Sequence, residues 1–157
     1  MRKLILLFCF ISMTLTSFSN ETTLIRKLFF EAAKSKEKTD IMYYFLQKKN
    51  YEQDPLIKGY YGMTHMLLAK HGFNIFTRYS NFNKGKELLE QAIADDSKNI
   101  ELRFLRLSVQ VNIPVFLNYS SNLEDDKKLI SENYNKLTDS DLKTRIKDFY
   151  TSKNLKL

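Results

Sequence analysis

The chain has 157 residues, enough for one domain built round a single core and too few for two comfortable ones. Four Gly and two Pro against 12 Phe and 9 Tyr argue against a turn-rich β sandwich and favour long helices, so the chain reads as all-α. The formal charge of +7 is spread among interleaved basic and acidic residues, which excludes the clustered basic face of a nucleic-acid binder, and a single cysteine excludes a disulfide framework.

Residues 1–19 read as a cleaved signal peptide. Met1-Arg2-Lys3 supplies a positive start, Leu4 to Leu15 an apolar stretch, and Ser17 and Ser19 the small residues a signal peptidase needs. The apolar stretch is shorter than the ~20 residues of a membrane span. Cys9 lies inside it behind bulky Leu7-Phe8, unlike a lipid-attachment cysteine. Cleavage after Ser19 leaves residues 20–157 as a single helical domain, without cysteine, and the loss of Arg2 and Lys3 takes the formal charge from +7 to +5. The expectation is an exported bacterial protein, periplasmic or extracellular, with no stable membrane span after cleavage.

Leu24, Ile25, Leu28, Phe29 and Ala32 share one face of a helix predicted from Thr22 to Lys34. After the polar joint Ser35-Lys36-Glu37-Lys38, a second helix carries Ile41, Met42, Tyr44, Phe45 and Leu46 and ends near Lys49-Asn50. Its Tyr43-Tyr44-Phe45 cluster reads as core, with a ligand-stacking patch as the functional alternative. Asp54-Pro55 is a helix start, cap and first-turn proline together. The third helix places Leu56, Ile57, Tyr60, Met63, Thr64, Leu67 and Leu68 on its inner face. Gly59 and Gly62 inside it cost about 1 kcal/mol each against Ala, which the close approach of another helix would offset.

His71 to Asn81 reads as an irregular insert. Phe73, Phe76, Arg78 and Tyr79 within it are the first candidates for binding a partner, and a hydrophobic plug over the helix ends is the other reading. A fourth helix then shows Phe82, Gly85, Lys86, Leu89, Ala92 and Ile93 on one face, and Asp95 to Asn99 form a turn in which Asn99 caps the next helix. From Ile100 to about Val111 there are two apolar stripes, Leu102/Leu105/Val109 and Phe104/Leu107/Val111, so this helix has two neighbours and is central. Pro114 ends that segment. Ser121-x-x-Glu124 predicts a capping box and Thr138-x-x-Asp141 a weaker start for a last helix, with a fraying tail from Thr151 to Leu157.

Gly85, Leu89, Ala92 and Ser97, with Leu102 and Leu105 beyond them, fall at a spacing that resembles the second helix and turn of a tetratricopeptide repeat. Tyr61-Gly62 resembles the Leu-Gly of the first helix of such a pair, and the 71–81 insert breaks the period. The resemblance implies about seven helices in an array of helical hairpins. Glu101 to Arg106, followed by Pro114, Phe116-Leu117 and Tyr119, also resembles a group of short secreted bacterial proteins with no assigned activity.

No catalytic constellation, metal site or cofactor motif is read. His65 and His71 do not share a helical face, and Glu124-Asp125-Asp126 is an acidic run in a first helical turn, where negative charge is favoured. Arg103, Arg106 and Gln110 form a polar seam between the apolar stripes of the central helix. They either bond carboxylates such as Asp125 or Asp126, or line a groove for an acidic peptide or carboxylate terminus. The expected function is a non-enzymatic module binding an unknown protein or peptide. The alternative is a small-molecule or lipid binder with an apolar cavity between the 71–81 insert and the third helix.

Overall fold

A computed structural model describes residues 21–157, and every regular element among them is helical. Residues 1–20, including the segment read above as a signal peptide, lie outside the described residues. The helices are α1 (21–32), α2 (Lys36–Gln47), α3 (Pro55–His71), α4 (Ile75–Asp95), α5 (Ile100–Gln110), α6 (Leu123–Tyr134) and α7 (Ser140–Ser152), with a 3₁₀ turn at Val115–Leu117. They pack as helical hairpins.

Side-chain caps set most of the starts. Ser35, Asp54, Asn74, Asn99 and Asp139 each accept a hydrogen bond from a first-turn N–H, so short polar residues fix where the chain turns inward. Two caps differ from expectation. Asn122, not Ser121, precedes α6, with the Ser121 hydroxyl turned to Asn122 Oδ1, and Asp139, not Thr138, caps α7. The tail does not fray at Thr151. Asn154 takes a left-handed φ of 52°, the Leu155 N–H donates to Tyr150 O and the Asn154 N–H to Thr151 O, closing α7 with a Schellman turn that packs Leu155 on the core.

The largest correction is the 71–81 insert. It is not a loop: Asn74 accepts from Phe76 N–H and Thr77 N–H, and α4 runs unbroken for 21 residues from Ile75. Thr, Ser and Asn are poor helix formers, which is why the segment looks irregular in sequence. The side-chain cap and contacts with α3 override that preference. Lys58 pairs with Asp95, Gly62 meets Gly85, His65 bonds Asn81 and Arg78 bonds Ala69 O, so numbers rise on one helix as they fall on the other. The two helices are therefore antiparallel along their whole length.

At the crossing of this hairpin there is no room for a side chain. A Cβ on Gly85 would lie 2.5 Å from Gly62 O, and one on Gly62 would lie 2.7 Å from Gly85 O. Gly59 also faces a neighbour, though there the obstacle is the tip of the Leu102 side chain. The propensity cost of the glycines is thus offset by backbone-to-backbone packing.

Two cores meet at α5. Leu102, Leu105 and Val109 belong to a core shared with Ile25, Phe29, Met42, Leu46, Tyr60 and Leu89, while Phe104 and Leu107, with Val111 at the margin, belong to one shared with Ile130, Leu142, Ile146 and Tyr150. The two stripes read in the sequence separate in this way. We predict that Gly62→Ala and Gly85→Ala each cost about 1–3 kcal/mol, as overpacked sites do. Gly59→Ala costs less, because Leu102 can rotate away. Urea unfolding of the three variants measures the order.

Candidate functional site

The candidate residues divide into two groups that the fold keeps apart. Arg103, Arg106 and Gln110 lie on α5 between the cores, whereas Phe73, Phe76, Arg78 and Tyr79 stand at the end of the α3–α4 hairpin.

Arg106 is buried, and a buried cation must be paired. Its Nε and Nη2 donate to the two oxygens of Asp126 at 2.7 and 2.8 Å, and its Nη1 donates to Glu90 at 2.7 Å. Arg103 adds a 3.1 Å bond to Asp126 and holds Ser97 O with its remaining nitrogens. Tyr119 O–H closes the set on Glu90. Of the two carboxylates proposed from sequence, Asp126 is the partner; Asp125 lines an open surface cavity. Burial works against the charge on Arg106, but the Asp126 and Glu90 carboxylates outweigh it and hold the guanidinium protonated. Burial and the Glu90 hydrogen bond raise the Tyr119 hydroxyl well above its usual range, so it remains a donor. Gln110 is buried too, and neither of its amide atoms has a hydrogen-bond partner.

A second buried arginine escaped the sequence. Arg26 of α1 forks onto Glu101 at 2.5 and 2.7 Å and reaches Asp139 at 2.7 Å and Asp141 at 3.2 Å, while Tyr60 O–H donates to the same Glu101 at 2.6 Å. The cluster joins α1, α3, α5 and α7. Its only trace in sequence is a cation next to Ile25 on an amphipathic helix, which reads as solvated.

The hairpin end is the opposite kind of place. Every residue from 73 to 80 is exposed, including Phe73 at 96%, Phe76 at 81%, Ile75 at 65% and Tyr79 at 62%. Ile75, Tyr79 and Phe82 recur at four- and three-residue steps, so they share one stripe. Phe82 is covered by Tyr119, but the stripe above it is bare. At 1.5 Å per residue, Ile75 lies about 10 Å past Phe82 along the axis. Val115 and Phe116 are also exposed, on the connector that brings Tyr119 to Phe82. Ile75, Val115 and Phe116 were missed as surface residues; Ile75 stands beside Phe76 and could have been included.

The α3–α4 segment at this end itself carries charge of one sign. No Asp or Glu occurs between Asp54 and Glu87. Lys70 and Arg78 donate to the main-chain oxygens of Ala33 and Ala69, and neither meets a carboxylate. Lys84 alone is paired, loosely, with Glu87 at 3.4 Å.

The remaining features are less pointed. An open cavity of about 360 Å³ is lined by Lys98, Ile100, Asp125, Lys128, Leu129, Glu132 and Asn133, away from both α3 and the hairpin end. Among the described residues no group of three or more His, Cys, Asp or Glu is placed to hold a metal ion, and no helix is long and apolar enough to cross a membrane. His65 stands edge-on to Tyr43 and Tyr61, with Nδ1 3.0 Å from Asn81 Oδ1. Comparison with protein-family models, with curated proteins and with solved structures returns no match.

Asp126→Ala removes the carboxylate that meets two nitrogens of the buried Arg106 and one of Arg103, leaving Arg106 with Glu90 alone, and is expected to cost about 3–5 kcal/mol in urea unfolding. Replacing both ends, Arg106→Met with Asp126→Leu, recovers part of that loss.

A pH series tests the second cluster and His65. Burial opposes the charge on Asp139 and Asp141, but Arg26, the Leu142 N–H and Arg145 outweigh it and hold both carboxyls below their ordinary value. Burial lowers the His65 imidazole as well. All three groups bind protons less readily folded than unfolded, so their contributions are complete above the unfolded values and are lost as pH falls through the folded ones. Stability is expected to begin a shallow fall below about pH 6.5 and a steeper one below about pH 4. His65→Gln removes the first slope, and Arg26→Gln flattens the second.

Proposed function

We propose that the chain is a non-enzymatic interaction module of the bacterial envelope or the space beyond it, and that it docks on a partner surface through the end of the α3–α4 hairpin. One observation carries this: four large apolar side chains, Phe73, Ile75, Phe76 and Tyr79, stand exposed at one end of the α3–α4 hairpin, while the α4 stripe that carries Ile75 and Tyr79 is buried from Phe82 onward. Exposed apolar clusters of this kind mark contact surfaces. The seam of Arg103 and Arg106 is a weaker candidate, since its charge is already committed to Asp126 and Glu90.

A tetratricopeptide-like architecture is part of the proposal. Its support is that Gly62 and Gly85, the small residues singled out by the repeat spacing, meet where α3 crosses α4, that Leu89 and Ala92 are fully enclosed, and that α5 then packs back on this pair. The 71–81 segment ends α3 at His71, turns at residues 72–74 and supplies the first turns of α4, and so makes the end of the hairpin. Export rests on the charged start, apolar stretch and small residues of positions 1–19.

The test is the triple variant Phe73→Ser, Phe76→Ser, Tyr79→Ser. Because these side chains contact little of the protein, each change is expected to alter unfolding free energy by less than about 0.5 kcal/mol. Photo-cross-linking from position 76 in cells is expected to trap a partner that position 132, on α6, does not. Equal yields from both positions would remove the hairpin end as the working surface.

A further inference from the structure

We infer that the surface this hairpin end docks on is an anionic lipid bilayer, entered by the Phe73, Ile75, Phe76 and Tyr79 side chains; the inference rests on the docking surface proposed above and names its partner.

Shape is the first reason. The apolar residues occupy the end of a projection, with every residue from 73 to 80 exposed, and not the floor of a groove. A convex wedge of rings suits a soft, continuous apolar phase, into which Phe and aliphatic side chains sink while Tyr stays near the headgroups. The first turn of α4 enters the interface with part of its backbone already satisfied: the Phe76 and Thr77 N–H groups are taken by the Asn74 side chain, and the Arg78 N–H by Asn74 O.

Charge is the second. Lys70 and Arg78 flank the apolar end without a carboxylate partner, and no acidic residue lies between Asp54 and Glu87. Both have long stems that can lie along the apolar face while their heads reach phosphate. An anionic headgroup layer complements this collar. The same end of a second copy does not, because a two-fold contact would set Lys70 and Arg78 against their own equivalents.

The test uses the chain as the cell delivers it, mixed with vesicles of phosphatidylcholine alone or with a third of phosphatidylglycerol. The chain has no tryptophan, so Phe76→Trp gives a single fluorescent reporter at the end of the hairpin. Binding to the anionic vesicles is expected to exceed that to neutral ones on the order of tenfold and to weaken with salt. The emission of the reporter shifts to the blue on the anionic vesicles. The triple serine variant loses binding with its helicity intact, and Lys70→Glu with Arg78→Glu loses the anionic preference. Binding equal on the two vesicles, or unchanged in the triple variant, overturns the inference. So does the absence of vesicle binding with a cross-linked protein at position 76; that result leaves the interaction module standing and makes its partner a protein. Neither vesicle binding nor a position-76 cross-link overturns both readings.

Discussion

Arg106 lies where the protein can least accommodate an unpaired charge, at the seam between two apolar cores, and most of the structure is arranged so that it is never alone. Asp126 comes from α6 and Glu90 from α4, both onto its guanidinium, and Tyr119 from the connector holds Glu90 in turn. Burying one such cation needs two elements already in place beside it. The seam therefore specifies which helices flank α5 in a way that Leu102, Leu105, Phe104 and Leu107 alone, being non-directional contacts, cannot.

Much of this was legible in sequence, because α5 announces itself through periodicity. Two stripes at helical spacing require two neighbours, and the two cores divide Leu102/Leu105/Val109 from Phe104/Leu107 accordingly. The cap by Asp54 and the proline after it, the cap by Asn99 and the close approach at Gly62 were also readable, since each needs a particular residue type at a particular place. What was not readable depends on distant partners. Arg26 looks like any solvated arginine until Glu101 and Asp139 arrive from 75 and 113 residues away. The first turns of α4 look like loop because Asn74, Thr77, Ser80 and Asn81 disfavour helix locally; a cap and a packed partner helix decide otherwise.

The candidate site follows the same division. Phe73, Phe76, Arg78 and Tyr79 were read as one loop, and the backbone differs: Phe76, Arg78 and Tyr79 stand on the first turns of α4, and only Phe73 lies in the short turn before it. That changes what the surface can do. A loop can mould itself round a partner, whereas a capped helix packed at Gly62 and Gly85 holds Phe76, Arg78 and Tyr79 at helical spacing.

The fork between Arg26 and the two ends of the fold bears on when the protein can become itself. A chain released N-terminus first exposes α1 long before the loop that carries Asp139 and Asp141, so for most of its emergence the guanidinium of Arg26 has only water to neutralise it. Docking α1 early would desolvate that cation with two of its three carboxylates missing. The pairing of α1 is thus completed only by the segment that opens the C-terminal helix, which ties the first helix of the chain to its last.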